Sequence, residues 1–146
     1  MASVGGPLTR WQIGSYPETK LAIHPVTVQR VTEDGVVSGD PLDRPALIDT
    51  GATGSAVSPG LRALLDLEAS DFTEQGLGGQ PGEQDENSRP LYWLRITIGT
   101  KGWDVLVFER ATGADVLIGC DILQHYRFTY DGLDGPDGSY DLYLPD

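Results

Sequence analysis

Glycine and proline restrict what this chain can fold into. Nineteen glycines and ten prolines are spread through 146 residues, and the apolar runs between them are too short for a long helix. Those runs are Leu21 to Val31, Pro45 to Asp49, Leu91 to Ile98, Trp103 to Phe108, Tyr126 to Tyr130 and Tyr140 to Leu144. They are rich in β-branched and aromatic residues and read as strands. Leu94, Ile96 and Ile98 alternate with Arg95 and Thr97, as in a strand with one face in and one face out. Gly99-Thr100-Lys101-Gly102 joins two runs as a hairpin. Two segments carry helical signals. Ser58-Pro59 supplies an N-cap and a proline at the first helical position ahead of Leu61, Leu64 and Leu65. The second begins near Gly119-Cys120-Asp121 and carries Ile122, Leu123 and Tyr126. The expectation is an all-β single domain, residues 1–146, with one or two short helical turns.

Charge narrows the partners. With 22 acids against 10 bases the formal charge is −12, which argues against nucleic acid or an anionic membrane, since both demand a basic face. Cys120 is the single cysteine, so no disulfide within the chain holds the fold. The first twenty residues lack a basic start followed by an apolar run, and no stretch approaches the roughly 18 to 20 apolar residues that span a bilayer. A cytoplasmic domain is the default expectation, free-standing or part of a larger protein.

The stretch that carries chemistry is Ala46-Leu47-Ile48-Asp49-Thr50-Gly51-Ala52-Thr53. An apolar strand runs straight into an acid, a hydroxyl and a glycine. A surface turn needs no buried strand to deliver its Asp, whereas a catalytic carboxylate must be held rigidly in a partly dry place. Downstream stands a second apolar-apolar-glycine strand, Val116-Leu117-Ile118-Gly119, followed by Asp121-Ile122-Leu123.

These two pieces, residues 46–53 and 114–123, resemble the retropepsin-like aspartic proteases, the single-domain relatives of pepsin. The likeness covers roughly Leu21 to Asp131, in the family's order. It implies an acid-protease barrel with one short C-terminal helix, forming a homodimer that hydrolyses peptide bonds. Asp49 would be the catalytic aspartate. Thr50 would lock the active-site loop across to the partner's loop, and Gly51 would let the backbone turn beside the carboxylate. Leu117, Ile118 and Gly119 would pass beneath that loop. Ala52 and Thr53 would line the substrate cleft. The segment from about Thr73 to Tyr92 would form a flap, with Gly78 and Gly79 against the peptide. No cofactor and no metal are implied.

Elementary chemistry reaches the same stoichiometry. Peptide hydrolysis by carboxylates uses two that share one proton, one as base and one as acid. This chain has one Asp-Thr-Gly, so the second carboxylate has to come from another copy, with Asp49 of each meeting on a two-fold axis.

The chain also departs from the retroviral pattern. Cys120 stands where those members carry Arg, and Gly54 where they carry an acid, so the arginine-based ion-pair network behind the active site is expected to be missing. Glu83, Asp85 and Glu86 make the flap tip acidic. Trp11-Gln12-Ile13 and Tyr140 to Leu144 are candidate interface strands by analogy. A competing reading keeps the fold as a binding or dimerisation module with weak or absent catalysis.

Other features are set aside. Cys120 reads as a semi-buried thiol rather than a nucleophile. His24 and His125 have no ligand partners at zinc spacing. Asp131, Asp134 and Asp137 are spaced by three, unlike a calcium loop, and read as turn residues.

Overall fold

The computed structural model describes residues 9–15, 22–75, 88–111, 114–134 and 139–144. Ten strands and two short helices follow in the order β1 (Thr9–Ser15), β2 (Ala22–Val31), β3 (Val37–Ile48), β4 (Ala56–Val57), α1 (Pro59–Leu64), β5 (Ala69–Gln75), β6 (Ser88–Ile98), β7 (Lys101–Glu109), β8 (Val116–Ile118), α2 (Cys120–Leu123), β9 (Arg127–Asp131) and β10 (Ser139–Leu144). Each run read as a strand from sequence is one. The hairpin is tighter than expected: Ile98 pairs with Lys101, leaving Gly99 and Thr100 as the turn.

Six strands close on themselves. The sheet order runs β6-β7-β4-β8-β3-β2, and β2 pairs back onto β6, with Thr27 opposite Thr97 and Val28 opposite Ile96. Two joints are parallel, β3 with β8 and β4 with β7. The interior is filled by the alternation read in the sequence. Leu94, Ile96 and Ile98 of β6 are fully buried beside Val28, Val107 and Ile118, whereas Arg95 and Thr97 are partly exposed. All three residues of β8 are buried, because the strand lies between β3 and β4.

The first half of β3, polar and exposed, was not read as strand from the sequence. It forms because β2 templates it, with Val28 opposite Leu42 and Val31 opposite Val37. A register shift between Val28 and Arg30 bulges this pair. Gly39 takes φ +75° there, which other residues adopt only with strain, and its carbonyl accepts from Gln29 Nε2 at 2.8 Å.

Helix α1 starts as the sequence indicated: Ser58 Oγ accepts from Leu61 N at 3.1 Å. The same hydroxyl donates to Asp115 Oδ1 at 3.1 Å, and Asp115 Oδ2 meets Arg44 Nε at 3.3 Å. Asp115 thus ties β3, α1 and the entry to β8 together. An Arg62–Glu109 ion pair fixes α1 to β7.

Outside the barrel, β5 lies along β6, and β1, β10 and β9 extend the sheet from β2. The segments around Trp11-Gln12-Ile13 and Tyr140 to Leu144, the candidate interface strands, pair with each other within the chain: Trp11 is opposite Leu142 and Ile13 opposite Tyr140. The turn after β9 is held by Leu133 N donating to Asp131 Oδ1 at 3.0 Å. Among the described residues no helix is long and apolar enough to cross a membrane.

Candidate active site

Asp49 is the first residue past β3. Ala46, Leu47 and Ile48 pair in parallel with Val116, Leu117 and Ile118, and Asp49 N continues the ladder by donating to Ile118 O at 2.9 Å. The buried strand pair therefore holds the backbone of Asp49 while its side chain stays partly exposed. Asp49 Oδ1 accepts from Gly51 N at 2.9 Å, and Ala52 N returns to Asp49 O at 3.2 Å. A Cβ on Gly51 would lie 3.3 Å from that same Oδ1. Among the described residues Asp49 Oδ2 has no hydrogen-bond partner, nor has the Thr50 hydroxyl.

The loop rests on α2. Cys120 N donates to Ala52 O at 2.8 Å and Asp121 N to Thr53 O at 3.1 Å. Gly119 permits this contact: a Cβ there would sit 2.5 Å from Gly54 O and 2.7 Å from Gly54 C. Leu117, Ile118 and Gly119 are thus brought directly under residues 49–54. Ala52 is partly exposed and Thr53 exposed on the rim of the loop.

One supporting residue escaped the sequence reading. Ser55 is wholly buried; its Oγ donates to Asp121 Oδ1 at 2.7 Å and accepts from Gly119 N at 3.1 Å. Ser55 N donates to Asp121 Oδ2 at 3.1 Å. These bonds stand behind the loop, where an arginine network was expected to be missing. Cys120 corrects an expectation: it is exposed rather than semi-buried, and its Sγ donates to Thr50 O at 3.2 Å.

The expected flap is described in its arms. Strand β5 pairs with β6 at Thr73–Pro90, Glu74–Arg89 and Gln75–Ser88. Gly78, Gly79 and the acidic tip lie outside the described residues. Asp49 lines neither of two surface hollows. One of about 190 Å³ is lined by Arg30, Glu68 and Trp93 among others. The second, about 460 Å³, lies against Leu42, Leu64 and Leu65. Among the described residues no group of three or more His, Cys, Asp or Glu is placed to hold a metal ion.

Comparison with solved structures fits this geometry. A retropepsin-like aspartic protease from Rickettsia conorii matches with a TM-score of 0.59 and 16% identity, over 94% of this chain and 92% of that one. The chain has a retropepsin-like fold. EIAV protease complexed with the inhibitor HBY-793 also matches, with a TM-score of 0.45 and 18% identity over 76% of this chain and 92% of that one. No family model and no curated protein matches. In this chain the Asp-Thr-Gly loop sits at the junction of β3, β8 and α2.

Proposed function

We propose that the protein is an aspartic endopeptidase, cofactor-free, working as a homodimer. The observation that carries this reading is Asp49 itself. A buried strand pair fixes it, one carboxylate oxygen is bonded to Gly51 N, and the other has no partner among the described residues. A lone carboxylate so presented is half of an acid–base pair. In the dimer the second half is Asp49 of the other copy. One carboxylate takes a proton from water as the water attacks the peptide carbonyl, while the other, protonated, gives its proton to the carbonyl oxygen; as the C–N bond breaks, the first passes the proton it took to the leaving amine and the second recovers a proton from the gem-diol. The Thr50 hydroxyl is available to bond across the axis. The β5–β6 hairpin closes over the substrate as the flap, excluding water from the reacting bond. The substrate is a peptide or protein segment laid along Ala52 and Thr53.

Asp49→Asn is the test. The variant should keep its fold and its association, judged by circular dichroism and sedimentation, and lose cleavage of a peptide library between about pH 4 and 7, where a carboxyl pair can share a proton. Equal cleavage by wild type and variant would end the proposal. A folded dimer that neither cleaves any peptide nor binds statine inhibitors, which mimic the tetrahedral intermediate, would point instead to a binding module on the same fold.

A further inference from the structure

The two surface hollows share one side chain, Arg30 of β2, which stands at the register shift where β3 bulges. They differ in character. The hollow of about 460 Å³ has an apolar floor. Leu42 and Leu65 are partly buried and pack on the core beneath it, and Leu64, the last residue of α1, is 63% exposed beside them. Asp40 is the one carboxylate among its lining residues. The hollow of about 190 Å³ is polar, with Glu33, Glu68 and Asp71 in its wall together with Trp93.

Arg30 does not neutralise these walls. It already faces Glu68 Oε1 at 2.9 Å and Asp66 Oδ2 at 3.8 Å. Among the described residues Glu33, Asp40 and Asp71 have no ion-pair partner, so the surface around both hollows carries an excess of negative charge. Asp66 adds to it from an unusual position. It follows α1 in the left-handed region, at φ 52°, where helices commonly place Gly, and its side chain is 91% exposed.

We infer that the paired hollows dock a peptide segment of a partner protein in which a bulky apolar residue lies close in sequence to Lys or Arg. The apolar side chain enters the larger hollow over Leu42, Leu64 and Leu65, whose volume is in the range that holds a small ligand. The cation passes Arg30 into the smaller hollow, where Glu33 and Asp71 lack partners and an aromatic ring in the wall attracts positive charge. Charge complementarity selects this occupant. An acidic segment is repelled at both rims, as are nucleic acid and an anionic membrane, and a segment without charge leaves the acidic hollow unmatched.

The site is separate from the Asp-Thr-Gly loop. Leu42 precedes Asp49 by seven residues along β3, roughly 23 Å at the rise of a strand. The inference therefore goes beyond the proposed activity and does not depend on it.

The experiment titrates isotope-labelled protein with short peptides of Gly and Ser that carry one Phe and one Arg with a single residue between them, followed by heteronuclear NMR. The amides of Gly39, Leu64 and Leu65 and the Trp93 indole should shift saturably, with a dissociation constant on the order of 1 mM. Replacing the peptide's Phe by Gly should weaken binding roughly tenfold, and replacing its Arg by Glu roughly fivefold. On the protein side, Leu64→Ser changes an exposed side chain and should keep the wild-type melting curve while weakening the Phe-Arg peptide roughly fivefold. Glu68→Lys should reverse the charge preference, binding the Phe-Glu peptide better than the Phe-Arg one. Because Glu68→Lys also breaks the Arg30 pair, its fold is checked by circular dichroism, and Leu64→Ser carries the test if it unfolds. Absence of shifts at about 10 mM peptide, equal binding of the Arg and Glu peptides, or binding untouched by Leu64→Ser would overturn the inference. Shifts of the same amides on concentrating the protein without peptide would assign the hollows to a second copy of the chain and overturn it equally. Asp49→Asn should bind the Phe-Arg peptide as wild type does. Docking without cleavage would thus refute the proposed activity alone, and cleavage without docking would refute this site alone.

Discussion

At the scale of single residues, Gly119 and Ser55 set the tolerance of the site. A methyl group at 119 would press on the Gly54 backbone at 2.5 Å, and backbone on both sides is pinned by hydrogen bonds. Gly119→Ala should therefore destabilise the fold by about 2–3 kcal/mol, the upper range for overpacking, read as a lower denaturant midpoint at unchanged slope. Ser55→Ala removes the acceptor for Gly119 N and a donor to Asp121. Leaving buried polar groups unmatched should cost about 1–3 kcal/mol by the same measurement. Restoring the hydroxyl with Thr should recover part of the loss if the added methyl is accommodated. Asp49 and Gly119 were legible in the sequence because each closes an apolar run, and the run announces a buried strand. Ser55 was not, since its partners lie 64 and 66 residues away and nothing local distinguishes it from any small polar residue. Exposure of Cys120 was equally hidden, because no local pattern signals what covers a residue at the start of so short a helix.

Among the elements, legibility followed hydrophobic pattern. Strand β6 declared itself through strict alternation. Helix α1 declared itself through its cap, and Ser58→Ala should cost about 1 kcal/mol. In a chain of this size that corresponds to a melting temperature lower by roughly 2–4 °C, measurable by calorimetry. The outer half of β3 carried no pattern because it buries almost nothing; its conformation comes from hydrogen bonds to β2 and a glycine bulge. Strands β1 and β10 were seen as segments but not as partners, since pairing between chain ends has no local signature.

At the scale of the whole molecule, the proposed dimer has to bring two acidic chains together. Two copies at −12 each repel across distances that salt screens. Dimerisation should therefore tighten as sodium chloride rises from about 0.05 to 0.5 M, because the Debye length falls severalfold over that range. Sedimentation across the salt series reads it directly, and weakening with salt would mean that local ion pairs outweigh global charge.

The parallel joint between β3 and β8 has a consequence in time. Residues 46–48 are matched to residues 116–118, so the loop bearing Asp49 has no floor until the chain has been synthesised past α2. Contacts this distant in sequence form late and slowly. A ribosome that has made residues 46–53 but not 116–123 thus holds the Asp-Thr-Gly segment in full, without the strand and helix that support it. The order of synthesis delays the assembled loop until α2 is made.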